Sequence, residues 1–402
     1  MKTDLATTNE KSSQDTTNSG IKKSYPYFKA SFQFLFFSVA SLLLVECIFY
    51  FARVGESDHL RPDLKLGFKP FANKRITQRS EGFGSFLFNS FGMQNNEIAP
   101  SKQVGTMRVA VFGDSYVESL QVPREQNYCS LLALALTEKL GRPVEVLNFG
   151  VSNYSIAQDY LRYQNLAKSF HPDLVIVAYR VGETEKVLPD NRPSLAFVRP
   201  MLFPLEDKTL RYDNTTVSNF YRSKEGKRLI STQFLREYSR IWSTVGRMQQ
   251  NWSTLPTALN AAKVAPTVIA EESTREKFVS CYWYLIDALI KNFAKECAAD
   301  HTAMLIMRTP MVHPGEYILS RNKVEVEQLK ATARAANAGF INIDESLQKR
   351  VSNNDYKPYF LDGSHFSQKM HQFVAEQLAD KIANDSVSYS GMNRPASDNT
   401  LK

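Results

Sequence analysis

The chain reads as an α/β protein with a parallel, doubly wound sheet. Three observations support this. Short apolar runs bounded by turn residues alternate with helical stretches from Met107 onward. Each run is too short for a free-standing helix and uniform enough to be buried on both faces. The runs end in Gly-Asp-Ser, Asn-Phe-Gly and Gly-Glu, small or polar clusters of the kind that close strands in such sheets. Five strands separated by helices place helices on both faces of one sheet.

The elements are expected in the following order. Strand Met107–Phe112 leads into Gly113-Asp114-Ser115, and a helix covers 128–140. Strand Val144–Asn148 then runs to Gly150, a helix covers 156–169, and a third strand covers 173–179. Residues 189–274 break the rhythm with prolines and polar turns and read as an insertion, a lid or substrate-facing arm. Its basic residues Arg236, Arg240 and Arg247 equally suit a solvated helix face. The alternation resumes with a helix over 276–298, a strand over 303–308, a helix over 324–336, a strand over 340–343 and a last helix over 367–383.

Ahead of this domain lies a different texture. Residues 1–26 form a polar tail of disordered composition. Residues 27–53 contain the apolar run from Ala30 to Ala52, long enough for a hydrocarbon core that takes about 20 residues, with Gln33 and Glu46 near its ends. Its length exceeds the apolar core of a cleavable signal peptide, so it reads as a signal anchor. Lys22, Lys23 and Lys29 before it outnumber Arg53 and Arg61 after it. The positive-inside rule then puts the N-terminus in the cytoplasm and the domain outside, as for a single-pass protein of a bacterial inner membrane with a periplasmic domain. Residues 54–100 are a juxtamembrane connector adding an edge element, 101–385 the domain, and 386–402 a second polar tail.

Composition bounds the function. The 402 residues are 43% hydrophobic and 22% charged, globular values. The net charge of +8 is spread too thinly to argue for nucleic acid. Cys47, Cys129, Cys281 and Cys297 show no metal spacing, and a Cys281–Cys297 bridge stays open. No metal or cofactor is called for. Oligomeric state is not readable.

Chemistry concentrates in two places. Ser115 falls at the carboxyl end of the first strand, where open α/β sheets bind ligands, and its hydroxyl is a candidate nucleophile. Asp114 and Ser115 also suit a helix cap. Asp362-Gly363-Ser364-His365 precedes the last helix. A nucleophilic serine needs a base and the base an orienting acid, and Asp362 three residues before His365 can supply both from one loop. Gly150 brings a backbone N–H near the same rim, where it and the Ser115 N–H would receive an oxyanion. Of the other histidines, His371 is expected on the surface of the last helix, His59 has no partner pattern, and His313 falls in a loop.

These blocks in this order resemble the SGNH/GDSL hydrolase superfamily. Gly113-Asp114-Ser115 matches its first block, Gly150 its second and Asp362 to His365 its last. Residues 121–126, 146–152 and 89–93 resemble membrane-anchored bacterial members in particular. The resemblance implies a flavodoxin-like three-layer α/β/α fold and a Ser115-His365-Asp362 site that cleaves or transfers acyl esters, often on carbohydrates. The partners would be the lipid bilayer, through the N-terminal helix, and an acylated carbohydrate or small ester. The family's third block carries an asparagine that donates to the oxyanion. Here Gly182 is followed by Glu183 and Thr184, and an ionised Glu183 cannot donate. Thr184, Arg180 or Asn153 stand as substitutes. The expected activity is an extracytoplasmic serine esterase on acetylated glycans or related esters. A polysaccharide O-acyltransferase with the same triad and a degraded glycan-binding protein are the alternatives.

Overall fold

The computed structural model describes residues 18–55, 58–79, 81–180, 182–188, 194–246, 248, 268–313, 317, 319, 323–351 and 355–385. The polar tail over 386–402, most of the N-terminal tail, Arg247 and the end of the insertion therefore lie outside the described residues. Helix α1 runs Asn18–Phe51, starting ahead of the apolar run, and its portion Tyr27–Phe51 is long and apolar enough to cross a membrane.

Two antiparallel hairpins follow. One joins β1 (Leu60–Asp63) to β2 (Gly67–Pro70), and the other joins β3 (Arg75–Gln78) to β4 (Gly84–Leu87). They form sheets of their own instead of extending the main sheet, so the expected edge element is a pair of separate ribbons.

The main sheet is built from β5 (Met107–Phe112), β6 (Val144–Asn148), β7 (Leu174–Arg180), β10 (Ala303–Thr309) and β11 (Gly339–Asn342). All its pairings are parallel, in spatial order β11-β10-β7-β5-β6. Numbered along the chain this is 2-1-3-4-5, the flavodoxin-like doubly wound order.

Side-chain alternation along β5 feeds two cores. Met107, Val109 and Val111 face helices α3 (Tyr128–Leu140) and α12 (Gln368–Asn384) through Leu132, Leu136, Val374 and Leu378. Ala110 and Phe112 face α4 (Ile156–Asn165), α9 (Val268–Ala299) and α10 (Lys323–Ala335) through Tyr160, Ile290, Phe293 and Leu329. Arg108, the one charge in β5, is buried. It is satisfied by Glu145 at 2.6 Å and by the carbonyls of Ala99, Pro100 and Phe170.

Caps fix the helices that begin at the rim formed by the carboxyl ends of β5 and β6. Asn127 accepts the Ser130 N–H at 2.8 Å ahead of α3, and Ser155 with Gln158 forms a capping box ahead of α4.

Where the chain departs from the expected alternation, local packing explains it. The insertion contains a short hairpin, β8 (Met201–Pro204) with β9 (Leu210–Asp213). Helices α6 (Thr215–Arg222), α7 (Lys224–Ser231) and α8 (Gln233–Tyr238) follow it. A further helix, α11 (Ile343–Arg350), directly follows β11 and buries Ile343 and Leu347. Cys281 and Cys297 lie on the same helix, α9, separated by about 24 Å of rise at 1.5 Å per residue, so they cannot bridge; both are free.

Candidate active site

Ser115 opens the short helix α2 (Ser115–Glu118) directly after β5, and Asp114 caps it by accepting the Tyr116 N–H at 3.2 Å. The Ser115 hydroxyl lies 2.8 Å from His365 Nε2. His365 sits in a tight turn in which the Leu361 N–H donates to the His365 carbonyl at 2.8 Å and the Ser364 N–H to the Leu361 carbonyl at 2.9 Å. The Tyr116 ring flanks the imidazole at 5.2 Å between centroids, and its hydroxyl donates to the Ser364 carbonyl at 3.1 Å. The sequence places Ser115 and His365 on one rim, and the structure brings their reactive atoms into contact.

The partner on the other imidazole nitrogen is not Asp362. That carboxylate stands exposed on the outer side of the turn and accepts from the Tyr317 hydroxyl. His365 Nδ1 is instead 2.6 Å from Glu81 Oε2, and the His365 backbone N–H donates to Glu81 Oε1 at 3.0 Å. Glu81 comes from the turn between β3 and β4, in the juxtamembrane connector. Burial alone would push its carboxyl up, but the hydrogen bond and charge of His365 hold it below the usual range. Gly363 has a definite reason to be glycine: a Cβ there would come within 2.6 Å of the Glu81 carboxylate. The tight turn explains the correction. It holds the His365 ring toward Glu81 and projects Asp362 away.

The remaining candidates divide differently from expectation. Gly150 closes against α2, where a Cβ would lie 2.4 Å from the Glu118 N and 2.6 Å from Val117 Cβ. Its N–H donates to Asn148 Oδ1 at 3.0 Å and is not free for an oxyanion. Gly150 thus acts as a spacer that lets the chain after β6 approach the helix that begins at Ser115. The Ser115 N–H has no protein acceptor among the described residues, so it remains available.

Gly182 adopts φ +91° and caps the short helix α5 (Glu183–Lys186). Glu183 is buried with both oxygens engaged: Oε1 accepts from Lys186 Nζ at 2.7 Å and Oε2 from the Ile156 N–H at 3.3 Å, at the start of α4. Asn153, a suggested donor, is held by the Ala196 carbonyl at 2.6 Å. The Thr184 side chain lies outside the described residues.

Arg180, at the end of β7, anchors its Nε on Asp114 at 2.7 Å and its Nη1 on Met311 Sδ at 3.2 Å. Lys186 also reaches Asp114, at 2.8 Å. Burial would raise the Asp114 carboxyl, but Lys186 and Arg180 hold it well below the usual carboxylate range. Glu183, next to Gly182, therefore belongs to an internally neutralised cluster with Asp114, Arg180 and Lys186. It does not turn a bare carboxylate on the serine.

Two histidines differ from expectation. His371 is buried on the inner face of α12, stacks on Tyr128 and accepts its N–H at 3.3 Å through Nδ1. Burial, and secondarily His365, push its pKa down to about 3. His59 pairs with the buried Glu118 at 3.2 Å. Among the described residues no three of His, Cys, Asp and Glu gather as metal ligands.

Glu81 is the site residue that sequence reasoning missed. It is 284 positions from His365, and its only local signature is a glycine-flanked acid in a hairpin turn.

Comparison with known proteins gives no family-model match and no curated relative. Solved structures similar to this chain include LAE5, an α/β hydrolase enzyme from the metagenome of Lake Arreo. It is 12% identical with a TM-score of 0.37, over 72% of this chain and 97% of that one. TesA is 12% identical with a TM-score of 0.35, over 69% and 98%. The acetylxylan esterase Axe2 from Geobacillus stearothermophilus is 12% identical with a TM-score of 0.37, over 70% and 96%. The chemistry assigned below rests on the site geometry.

Proposed function

We propose that this chain is a membrane-anchored serine esterase working through Ser115, His365 and Glu81. One observation carries the reading: the continuous line from Glu81 through both ring nitrogens of His365 to the Ser115 hydroxyl, at 2.6 Å and 2.8 Å. A carboxylate on Nδ1 fixes the tautomer that leaves Nε2 a lone pair for the Ser115 proton. Ser115 Oγ then attacks the ester carbonyl, and His365 takes the hydroxyl proton and returns it to the departing alcohol. Water, activated the same way, hydrolyses the acyl-serine. The oxyanion is received by the Ser115 N–H, and we assign its counter-charge to Arg180, which is tied to Asp114 beside the nucleophile, in place of the absent asparagine.

The anchor is Tyr27–Phe51, and the excess of lysines before it puts the domain outside the cytoplasm, periplasmic in a cell with two membranes. On the block resemblance given above, the substrate class we assign is acetyl or another short acyl ester on a glycan.

The test is hydrolysis of 4-nitrophenyl acetate by the detergent-solubilised full-length chain beside Ser115→Ala. The variant should lose on the order of 10⁴ to 10⁶ in kcat while melting with the wild type. Equal activity in the two would overturn the reading.

A further inference from the structure

The helices of the insertion carry an apolar face that nothing in the described chain covers. Ile230, Phe234, Tyr238, Trp242, Val245 and Met248 are all exposed. They recur at steps of four, four, four, three and three residues along three short helices in succession, interrupted at Thr232 and at the extended Ser239. The stripe passes along α7, α8 and the helical residues 240–246. The opposite side is tied to the protein: Ser243 is buried, Arg236 forms a bidentate pair with Asp58 at 2.7 and 2.9 Å, and Lys74 Nζ donates to the Arg236 carbonyl at 2.7 Å.

The stripe is also fixed to the end of α1. The Glu46 carboxylate accepts the N–H groups of Arg240 and Ile241 and the Ser239 hydroxyl, so it caps the helical residues 240–246. The Arg240 guanidinium lies 5.7 Å from the Tyr50 ring. A Cβ on Gly55 would come within 2.6 Å of the Arg240 carbonyl oxygen. Glu46 stands five residues before Phe51, so the cap sits about 7.5 Å inside the apolar end of α1 at 1.5 Å per residue. Helices lying in a membrane interface bury their apolar faces to a depth of about 5–10 Å.

We propose that the stripe from Ile230 to Met248 lies in the outer interface of the bilayer that α1 crosses and seats the domain against the lipid. The proposal rests on the anchor reading above. Continuity with α1 selects lipid as the occupant, because a surface fixed at that depth meets acyl chains and head groups before it meets another protein. It also accounts for Glu46, an acid in an apolar segment that is otherwise costly there: it caps a second helix at the membrane boundary.

The experiment uses full-length protein carrying Trp252→Phe, so that Trp242 and the buried Trp283 remain. The protein is reconstituted in phosphatidylcholine vesicles with a minor share of phosphatidylglycerol and lipids brominated on the upper acyl carbons. Most of the Trp242 emission should be quenched, and the quenching should vanish when Trp242→Phe is added. Alkaline carbonate extraction of the same vesicles reads the anchor separately. A chain that resists extraction with Trp242 unquenched overturns the proposal and leaves the anchor standing. A chain released by carbonate overturns both. Unquenched Trp242 in a chain that sediments as a dimer assigns the face to a second copy and equally overturns it.

Discussion

Replacing Glu81 by Gln separates the two carboxylates that compete for the orienting role. Glutamine keeps the length of Glu81, and its single acceptor oxygen can keep the His365 backbone N–H bond that holds the turn. What disappears is the acceptor on the ring Nδ1–H and, above all, the negative charge beside the imidazolium that forms as Ser115 gives up its proton. With charge centres about 4 Å apart and an effective dielectric near 20, that charge contributes about 4 kcal/mol at most. Both side chains are partly exposed, at 16% and 24%, and solvent screening brings the figure to about 2–4 kcal/mol. The expected loss in kcat is therefore about 30-fold to 10³-fold. Asp362→Asn, on the exposed side of the turn, should stay within about twofold, the range of surface substitutions near ±0.5 kcal/mol. The assay is 4-nitrophenyl acetate hydrolysis at pH 7 to 8. Glu81 has its carboxyl depressed in the folded state, so its contribution to stability is fully present above the unfolded value near 4.3 and is lost only as pH falls through the lower folded value. At the assay pH the comparison thus reads catalysis and not folding. A large loss in Asp362→Asn with Glu81→Gln near wild type would refute the assignment.

Two further substitutions test the surroundings. His371 stays neutral in the fold down to a pKa of about 3, whereas in the unfolded chain it takes a proton near 6.5. Stability should therefore fall by roughly 1.4 kcal/mol per pH unit below 6.5, about 2 kcal/mol by pH 5. Urea unfolding at pH 7 and pH 5 should show this slope in the wild type and a flatter one in His371→Asn, which keeps an acceptor for the Tyr128 N–H; identical slopes would remove His371 as the cause. Lys186→Met leaves Glu183 buried without its cation and takes one of two cations from Asp114. Breaking such a buried pair costs about 3–5 kcal/mol, and unchanged urea unfolding would show that the cluster does not depend on Lys186.

Much of the fold is legible in the sequence because its central strands are buried on both faces. MRVAVF and LVIVAYR leave little choice between strand and anything else. The hairpin of the insertion is not legible, since its four-residue strands are half exposed and carry no alternation. At the site, Ser115 and His365 could be read because strand ends and helix caps place them. Glu81 could not, because the fold alone closes the distance from a connector hairpin to the last loop. Near His365 its trace is Gly363, where a Cβ would come within 2.6 Å of the Glu81 carboxylate. Gly150 shows the limit from the other side: an oxyanion donor and a spacer both demand glycine, and only the direction of the N–H separates them. His371 sits three, four and seven residues before Val374, Ala375 and Leu378, the inner stripe of α12. Its polarity argued for the surface and its position for the core. Position prevailed because the Tyr128 N–H meets the ring nitrogen there.

The same connector that delivers Glu81 also holds the anchor to the domain, and the two tasks share their residues. Arg53, just past α1, donates to the Ser85 hydroxyl at 3.2 Å, and Ser85 pairs with Thr77 at 3.0 Å across the hairpin whose turn bears Glu81. Asp58 and Lys74 hold the insertion helices, and His59 reaches Glu118 at the far end of the nucleophile's helix. The end of α1 is thus tied to the hairpin that bears Glu81 through the Arg53–Ser85 hydrogen bond, and the connector is tied to α2 through the His59–Glu118 contact. In the proposed esterase the connector hairpin has to be in place for His365 to be oriented, because its turn supplies the carboxylate on Nδ1. On that reading Asp362, exposed and bonded to Tyr317, is expected to be dispensable.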